Sequence, residues 1–383
     1  MLLFKGQMLR WASVFLFLSV LVGCIPVSCG RNATVVAVEG DTLALSHSSL
    51  LTIVECDGYT VVDIKNPWGN GLLNRYVLVP REKELPQGLP SGVLLRTPLS
   101  SVVLFSGVHA GVFEELGMSS AVSGVCDADY FYNNTIETAL LAGAVVDCGS
   151  SQNVDVERVM QLSPDALFVL PYENGGYGKI EKMKMPVVEC ADYMETSPLG
   201  CAEWIRFYGR LLGRAAEADS LFGTISGEYL RLRELAASAQ EKPRVMCELR
   251  YGSVWYMPAG ESTTGVLYRD AGADYIFSYL EGSGSVPLAF ETVLDKAVDA
   301  DIWLFKYNSP MDKDATALLS EYSGYAHFKP FKVGNMFACN TAYKRLFEET
   351  AFHPERLLRE LVVLFHRNLL PEYEPVYYER VQK

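Results

Sequence analysis

The chain has 383 residues, 49% of them apolar and 21% charged, the balance of a globular protein and not of a disordered one. That length is too great for one small domain and comfortable for two lobes of ordinary size. A net charge of −13 argues against a nucleic-acid partner, which needs a basic footprint, and is compatible with docking on a cationic surface.

The first element is a short apolar run. Lys5 and Arg10 lead into Trp11–Val22, where Ser13 and Ser19 are the polar residues, and Gly23 stands directly before Cys24. Such a run falls short of the roughly 20 residues that span a bilayer, and its basic start and small terminal residue have the pattern of an export signal. Leu21-Val22-Gly23-Cys24 resembles the end of a bacterial lipoprotein signal. That resemblance implies removal of residues 1–23 and acylation of Cys24, with an ordinary signal peptide or a membrane anchor as the alternatives. Cys29 is the poorer acceptor, because Pro26 takes the apolar slot three residues ahead of it. Loss of Lys5 and Arg10 brings the net charge to −15. The expected location is exported and periplasmic, tethered to a membrane.

Residues 24–92 read as a tether followed by a small β extension. Thr34–Val38, Leu50–Val54, Tyr59–Ile64 and Tyr76–Val79 are apolar strand-like runs separated by Gly, Asp and Asn-Pro turn signals, predicting three or four antiparallel strands. A linker at Pro86–Pro90 follows. From 93 to 213 short apolar strands alternate with helices, which means parallel pairing with both faces covered. Helices are expected over Gly200–Leu212 and then over 214–240, the second with one buried stripe through Ala218, Leu221, Phe222, Ile225, Tyr229, Leu232 and Leu235. The strand–helix grammar restarts after Pro243, so residues 241–383 form a second lobe. The fold class is α/β, with two Rossmann-like lobes joined by one long helix. The cysteines are dispersed, without C-x-x-C or a short Cys/His cluster, which predicts buried thiols and no zinc site or intrinsic cofactor.

Three segments then carry a family resemblance across roughly residues 95–372: Asn153–Val159 running into Leu162-Ser163-Pro164-Asp165, Phe290–Leu294 running into Asp299–Trp303, and His353-Pro354 opening a final helix. In order and spacing they resemble the cluster III substrate-binding proteins of ATP-binding cassette importers. The resemblance implies capture of a metal chelate (ferric siderophore, cobalamin or haem) between the lobes by a monomer. It further implies delivery to a permease dimer with ATPase subunits, docked through Glu157 and Glu291.

Ligand contacts are expected on loops at the carboxyl ends of the strands. On the first lobe these are His109, Asp129 with Tyr130, Tyr172 with Tyr177, and Tyr193. On the second they are Tyr251, Trp255, Tyr307 and Tyr343. Tyrosines after strands suit a broad, flat, partly apolar ligand. His109 could ligate a haem iron or cobalt, although a lone histidine in such a turn is more often a local hydrogen-bonder. With five histidines in the chain a bare-metal carrier is disfavoured. No phosphate-binding lysine loop or nucleophile elbow is present. An exported hydrolase using Asp127 or Asp129 with His109 is one alternative, and a surface interaction protein is another.

Overall fold

The computed structural model describes residues 38–132 and 134–383. The export signal, Cys24 and most of the strand expected at 34–38 lie outside the described residues. The described chain begins with a five-stranded sheet of β1 (Asp41–Thr42), β2 (Leu51–Cys56), β3 (Tyr59–Lys65), β4 (Leu72–Pro80) and β5 (Val93–Thr97), in that spatial order. The pairs are antiparallel up to β4, but β5 lies parallel to β4, with Tyr76 opposite Val93 and Pro80 opposite Thr97. Two expectations are thereby corrected. The sheet is neither three- or four-stranded nor wholly antiparallel, and its last strand comes from the segment assigned to the first lobe. It is also no appendage, because Ile53, Val62, Ile64, Tyr76 and Leu78 on its inner face join the same hydrophobic core as the lobes.

Buried carboxylates seal that junction. Glu203 is 0% exposed and accepts hydrogen bonds from the backbone N–H groups of Ser46 (3.1 Å), His47 (2.8 Å) and Ser48 (2.8 Å). Glu195, also buried, accepts from the Ser49 and Leu50 N–H groups, the Ser48 and Ser49 hydroxyls and the Trp204 indole N–H. A carboxylate can leave water only when its oxygens are answered in this way. Gly200 makes the approach possible, since a Cβ there would stand 2.8 Å from Ser197 Oγ and 3.1 Å from the His47 carbonyl.

The first lobe runs β6 (Val102–Leu104), α1 (Val108–Glu115), β7 (Val122–Val125), α2 (Asn134–Leu141), β8 (Val146–Asp147), the small antiparallel pair β9 (Gly149–Ser150) and β10 (Asn153–Val154), α3 (Val156–Leu162), β11 (Ala166–Val169) and β12 (Val187–Glu189). Its parallel sheet has the order β12-β11-β6-β7-β8. Then come α4 (Pro198–Glu203) and α5 (Ile205–Leu211), two helices where the sequence predicts one. They divide at Trp204, which is fully buried and bonded to Glu195. Helix α6 (Ala215–Ala237) links the lobes, about 34 Å of continuous helix at 1.5 Å per residue. Ala218, Phe222, Ile225, Tyr229 and Leu232 are its buried stripe.

The second lobe contains β13 (Arg244–Cys247), β14 (Arg250–Tyr251), β15 (Val254–Pro258), α7 (Thr263–Asp270), β16 (Asp274–Tyr275), β17 (Ser285–Leu288), α8 (Phe290–Ala297), β18 (Ile302–Tyr307), α9 (Ala315–Glu321), α10 (Lys329–Val333), β19 (Met336–Asn340), α11 (Leu346–Thr350), α12 (Pro354–Phe365) and β20 (Glu379–Arg380). Its main sheet has the order β16-β13-β18-β19-β20, parallel except for β20, while β14, β15 and β17 form a small antiparallel sheet. Helix α12 lies along α6, where Arg359 pairs with Glu228 at 2.6 Å. At its start His353 reaches across to the first lobe, with Nε2 2.6 Å from Glu115 of α1 and Nδ1 2.9 Å from Glu355.

Replacement of Glu203 by Ala strands three backbone N–H groups, so we expect a loss of at least about 3 kcal/mol in urea unfolding. Glu217→Ala on the exposed face of α6 should stay within about 0.5 kcal/mol. A second expectation concerns pH. Burial alone would lower the His353 pKa, but its hydrogen bonds and ion pairs with Glu115 and Glu355 outweigh burial and raise it. The charged form is therefore favoured by folding. Its stabilisation is complete below the unfolded value of about 6.5 and is lost as pH rises through the higher folded value. His353→Gln should remove that part of the alkaline decline while leaving the rest of the unfolding profile in place; identical slopes for both proteins would contradict it.

Candidate functional site

In a sheet of order β12-β11-β6-β7-β8, the chain reverses direction of growth between β6 and β11, and the loops leaving those two strands part there. A cavity of about 540 Å³ opens at this point. Phe105 after β6, Leu170 and Pro171 after β11, and the rings of Tyr172, Tyr177 and Tyr193 line it. Tyr172 is 53% exposed and Tyr193 45%, so both present aromatic surface to solvent. Tyr193 donates its hydroxyl to the Pro171 carbonyl, which fixes the ring beside the strand end. Tyr177 is anchored differently, donating at 2.7 Å to Glu189 at the end of β12. The other oxygen of Glu189 accepts from Asn74 of the N-terminal sheet at 2.9 Å, and its N–H donates to the Tyr76 hydroxyl. Burial raises the Glu189 pKa against the lowering effect of those two donors. The N-terminal sheet thus holds one wall of the cavity.

The second lobe repeats the arrangement. Its switch point lies between β13 and β18, and a cavity of about 470 Å³ is found there, lined by Glu248, Tyr251, Tyr256, Thr263, Ser285 and Lys306 among others. Glu248 directly follows β13 with φ +61°, a left-handed conformation strained for a residue with a side chain. Its carboxylate pairs with Lys306 of β18. Burial would lower the Lys306 pKa, but Glu248 more than offsets it, and the ammonium stays charged. This wall is polar where the first is apolar. The hydroxyls of Tyr251, Tyr256 and Ser285 make no hydrogen bond among the described residues, and Tyr251 is 80% exposed. The lobes meet beside both cavities, where the Thr263 hydroxyl donates to the Glu195 carbonyl at 3.3 Å, two residues beyond Tyr193.

The structure therefore groups Tyr172, Tyr177 and Tyr193 on one cavity and places Tyr251 on the other. Tyr307 and Tyr343 are elsewhere, in a depression of about 360 Å³ closed by β20. Asp129 and Tyr130 are exposed beyond β7 and line neither cavity. Two expectations are corrected outright. Trp255 is 0% exposed and donates its indole N–H to the Cys247 carbonyl, because alternation along β15 turns it inward and Tyr256 outward. His109 is 2% exposed, its Nε2 3.1 Å from Asp192 and its ring packed against Tyr208 and Phe352. It lines neither cavity. Glu157 and Glu291 are both exposed in the first turns of α3 and α8, and neither makes an ion pair among the described residues.

Sequence reasoning missed Glu189, Glu248 and Lys306, although acidic residues closing the apolar runs Val187–Val188 and Val245–Cys247 were a visible signal. It also missed that His109, Cys190 and Asp192 meet in space, since His109 is more than eighty residues from the other two. All seven described cysteines carry free thiols. Burial pushes Cys148 up to about 11 and Cys247 and Cys339 up to about 12, which makes them inert. No helix among the described residues is long and apolar enough to cross a membrane.

Comparison with known proteins places this geometry. An uncharacterized lipoprotein of Methanocaldococcus jannaschii is 26% identical over 289 residues, covering 71% of this chain and 66% of the relative, just under two thirds of its length. A periplasmic heme-binding protein from Pseudomonas aeruginosa superposes with a TM-score of 0.58 at 18% identity, covering 74% of this chain and 99% of that one. An ABC-type Fe3+-hydroxamate transport protein from Saccharomonospora viridis gives 0.54 at 16%, covering 70% and 94%. The profile of the family described as periplasmic binding protein matches residues 102–341, from the first strand of the first lobe to the end of β19 in the second. With its two α/β lobes and single linking helix, the chain belongs to the periplasmic binding proteins.

Proposed function

We propose that this protein captures a metal chelate between its lobes and hands it to an ABC permease, without catalysing a reaction. The observation that carries this reading is the pair of cavities at the two switch points, one aromatic and one polar, with exposed tyrosines on each. Tyr172, Tyr177 and Tyr193 offer apolar ring surface to the body of a flat ligand. Tyr251, Tyr256 and the Glu248–Lys306 pair offer hydrogen bonds to its oxygen-bearing periphery. A ferric siderophore, cobalamin and haem all have that division. Visible absorption of the protein purified from its native host tests the class, through a Soret band, a corrinoid spectrum or a siderophore charge-transfer band. A colourless protein whose melting temperature responds to none of the three would sink the reading, because a true ligand stabilises in proportion to its concentration over Kd.

Docking is assigned to Glu157 and Glu291. Each is exposed, unpaired among the described residues and near a helix start, so its charge is available to an arginine of the permease. Membrane tethering is assigned to acylated Cys24, so that Cys24→Ser should move the processed protein into the soluble exported fraction. Glu157→Ala and Glu291→Ala should leave ligand affinity unchanged, since neither lines a cavity. Uptake in vesicles carrying the permease should fall, each truncation of a desolvated interfacial pair costing about 2–5 kcal/mol. Weakened ligand binding with normal uptake kinetics would relocate these carboxylates to the binding site.

A further inference from the structure

Outside both cavities, one side chain from α1 and two from the segment after β12 meet inside the first lobe. His109 lies in the first turn of α1, Cys190 directly follows β12, and Asp192 begins the helical turn after it. One nitrogen of His109, Cys190 Sγ and one Asp192 oxygen all lie within 4.8 Å of one another. The residues are 2%, 0% and 4% exposed. A tetrahedral ion bound at about 2.0 Å to nitrogen and oxygen and about 2.3 Å to sulfur sets its donors roughly 3.3 to 3.6 Å apart. The His109 Nε2 to Asp192 Oδ1 separation is 3.1 Å, so one edge of that figure is already in place.

Without an ion the group keeps one buried atom unpartnered and one weakly held thiol. His109 Nδ1 has no hydrogen-bond partner, and the Cys190 thiol, which lies against the His109 and Tyr208 side chains, donates weakly to the Val188 carbonyl at 3.6 Å. Tyr208 donates to Asp192 Oδ1 at 2.6 Å, and Cys201 Sγ stands 2.9 Å from the Asp192 carbonyl oxygen. We propose that His109, Cys190 and Asp192 supply three of the four ligands of a buried divalent ion of the zinc class, with a water in the fourth position. Imidazole, thiolate and carboxylate together select zinc over magnesium or calcium. Binding releases the Cys190 proton, and thiolate and carboxylate then balance the double positive charge, which is what allows it to be buried. Tyr208 supports Asp192 from outside the ligand set, as outer partners of metal ligands do. None of the three ligands lines either cavity, so this ion is distinct from any cargo. It would tie α1 to the end of β12 and to α5, beneath the ring of Phe352 from the second lobe.

The test is metal analysis of the full chain, purified without a histidine tag and desalted. Wild-type protein is expected to carry a single zinc ion. Cys190→Ser and Asp192→Asn should each lower zinc affinity about tenfold or more, while Cys247→Ser, a buried thiol of the second lobe, should not change it. Because the variants could fail to fold, wild-type protein is also unfolded with chelator and refolded with cobalt(II). A thiolate-to-cobalt charge-transfer band, abolished by prior alkylation of the unfolded thiols, supports the site. Folded wild-type protein that holds no zinc and develops no such band overturns the proposal, as does zinc that both variants retain undiminished.

Discussion

Carboxylates placed in the interior dictate much of this architecture. Between Glu189 and Glu203 the chain leaves the last strand of the first lobe and turns into α4, and it buries four acidic side chains on the way. Each must be answered by donors, and most of those donors come from elements outside the segment. Glu189 takes Asn74 and Tyr177, Asp192 takes Tyr208 and His109, and Glu195 and Glu203 together take the run from Ser46 to Leu50. Water cannot substitute at these positions, so the N-terminal sheet, the tyrosine loop and the helices must close around the segment together or leave charges unanswered.

The same segment lies where the lobes touch. The Glu195 carbonyl receives Thr263 from the second lobe, and Tyr208 and His109 receive the ring of Phe352. Next to Phe352, His353 bridges Glu115 and Glu355. Packing and polar contacts therefore coincide at the junction, and both cavities open beside it. The N-terminal sheet reaches the aromatic cavity through one carboxylate, so its sequence distance from the cleft conceals a direct structural part in shaping it.

Repeating strand–helix grammar made the two lobes legible, because short apolar strands covered on both faces leave a pattern that helices interrupt regularly. The linking helix was legible from its stripe, in which Phe222, Ile225, Tyr229 and Leu232 are buried. Strand β5 was not, since Val93–Thr97 reads equally well as the opening of a lobe, and only its pairing with β4 decides the matter. Side-chain alternation should have separated Trp255 from Tyr256, as the period of a strand turns neighbours to opposite faces. Burial of Glu195 and Glu203 left little local signal, because most of their donors lie about 150 residues away. The placement of His109 beside Asp192 was hidden for the same reason.

Helix α6 has a further consequence when taken with α12 beside it. Two packed helices, with an ion-pair bridge at one end, brace the lobes against a wide swing. Any difference in outline between the loaded and unloaded forms must be small and local, carried by side chains such as Tyr172 and Tyr251 at the rim. Under the proposed function, a permease that tells the two forms apart reads the mouth of the cleft itself, not the distance between the lobes.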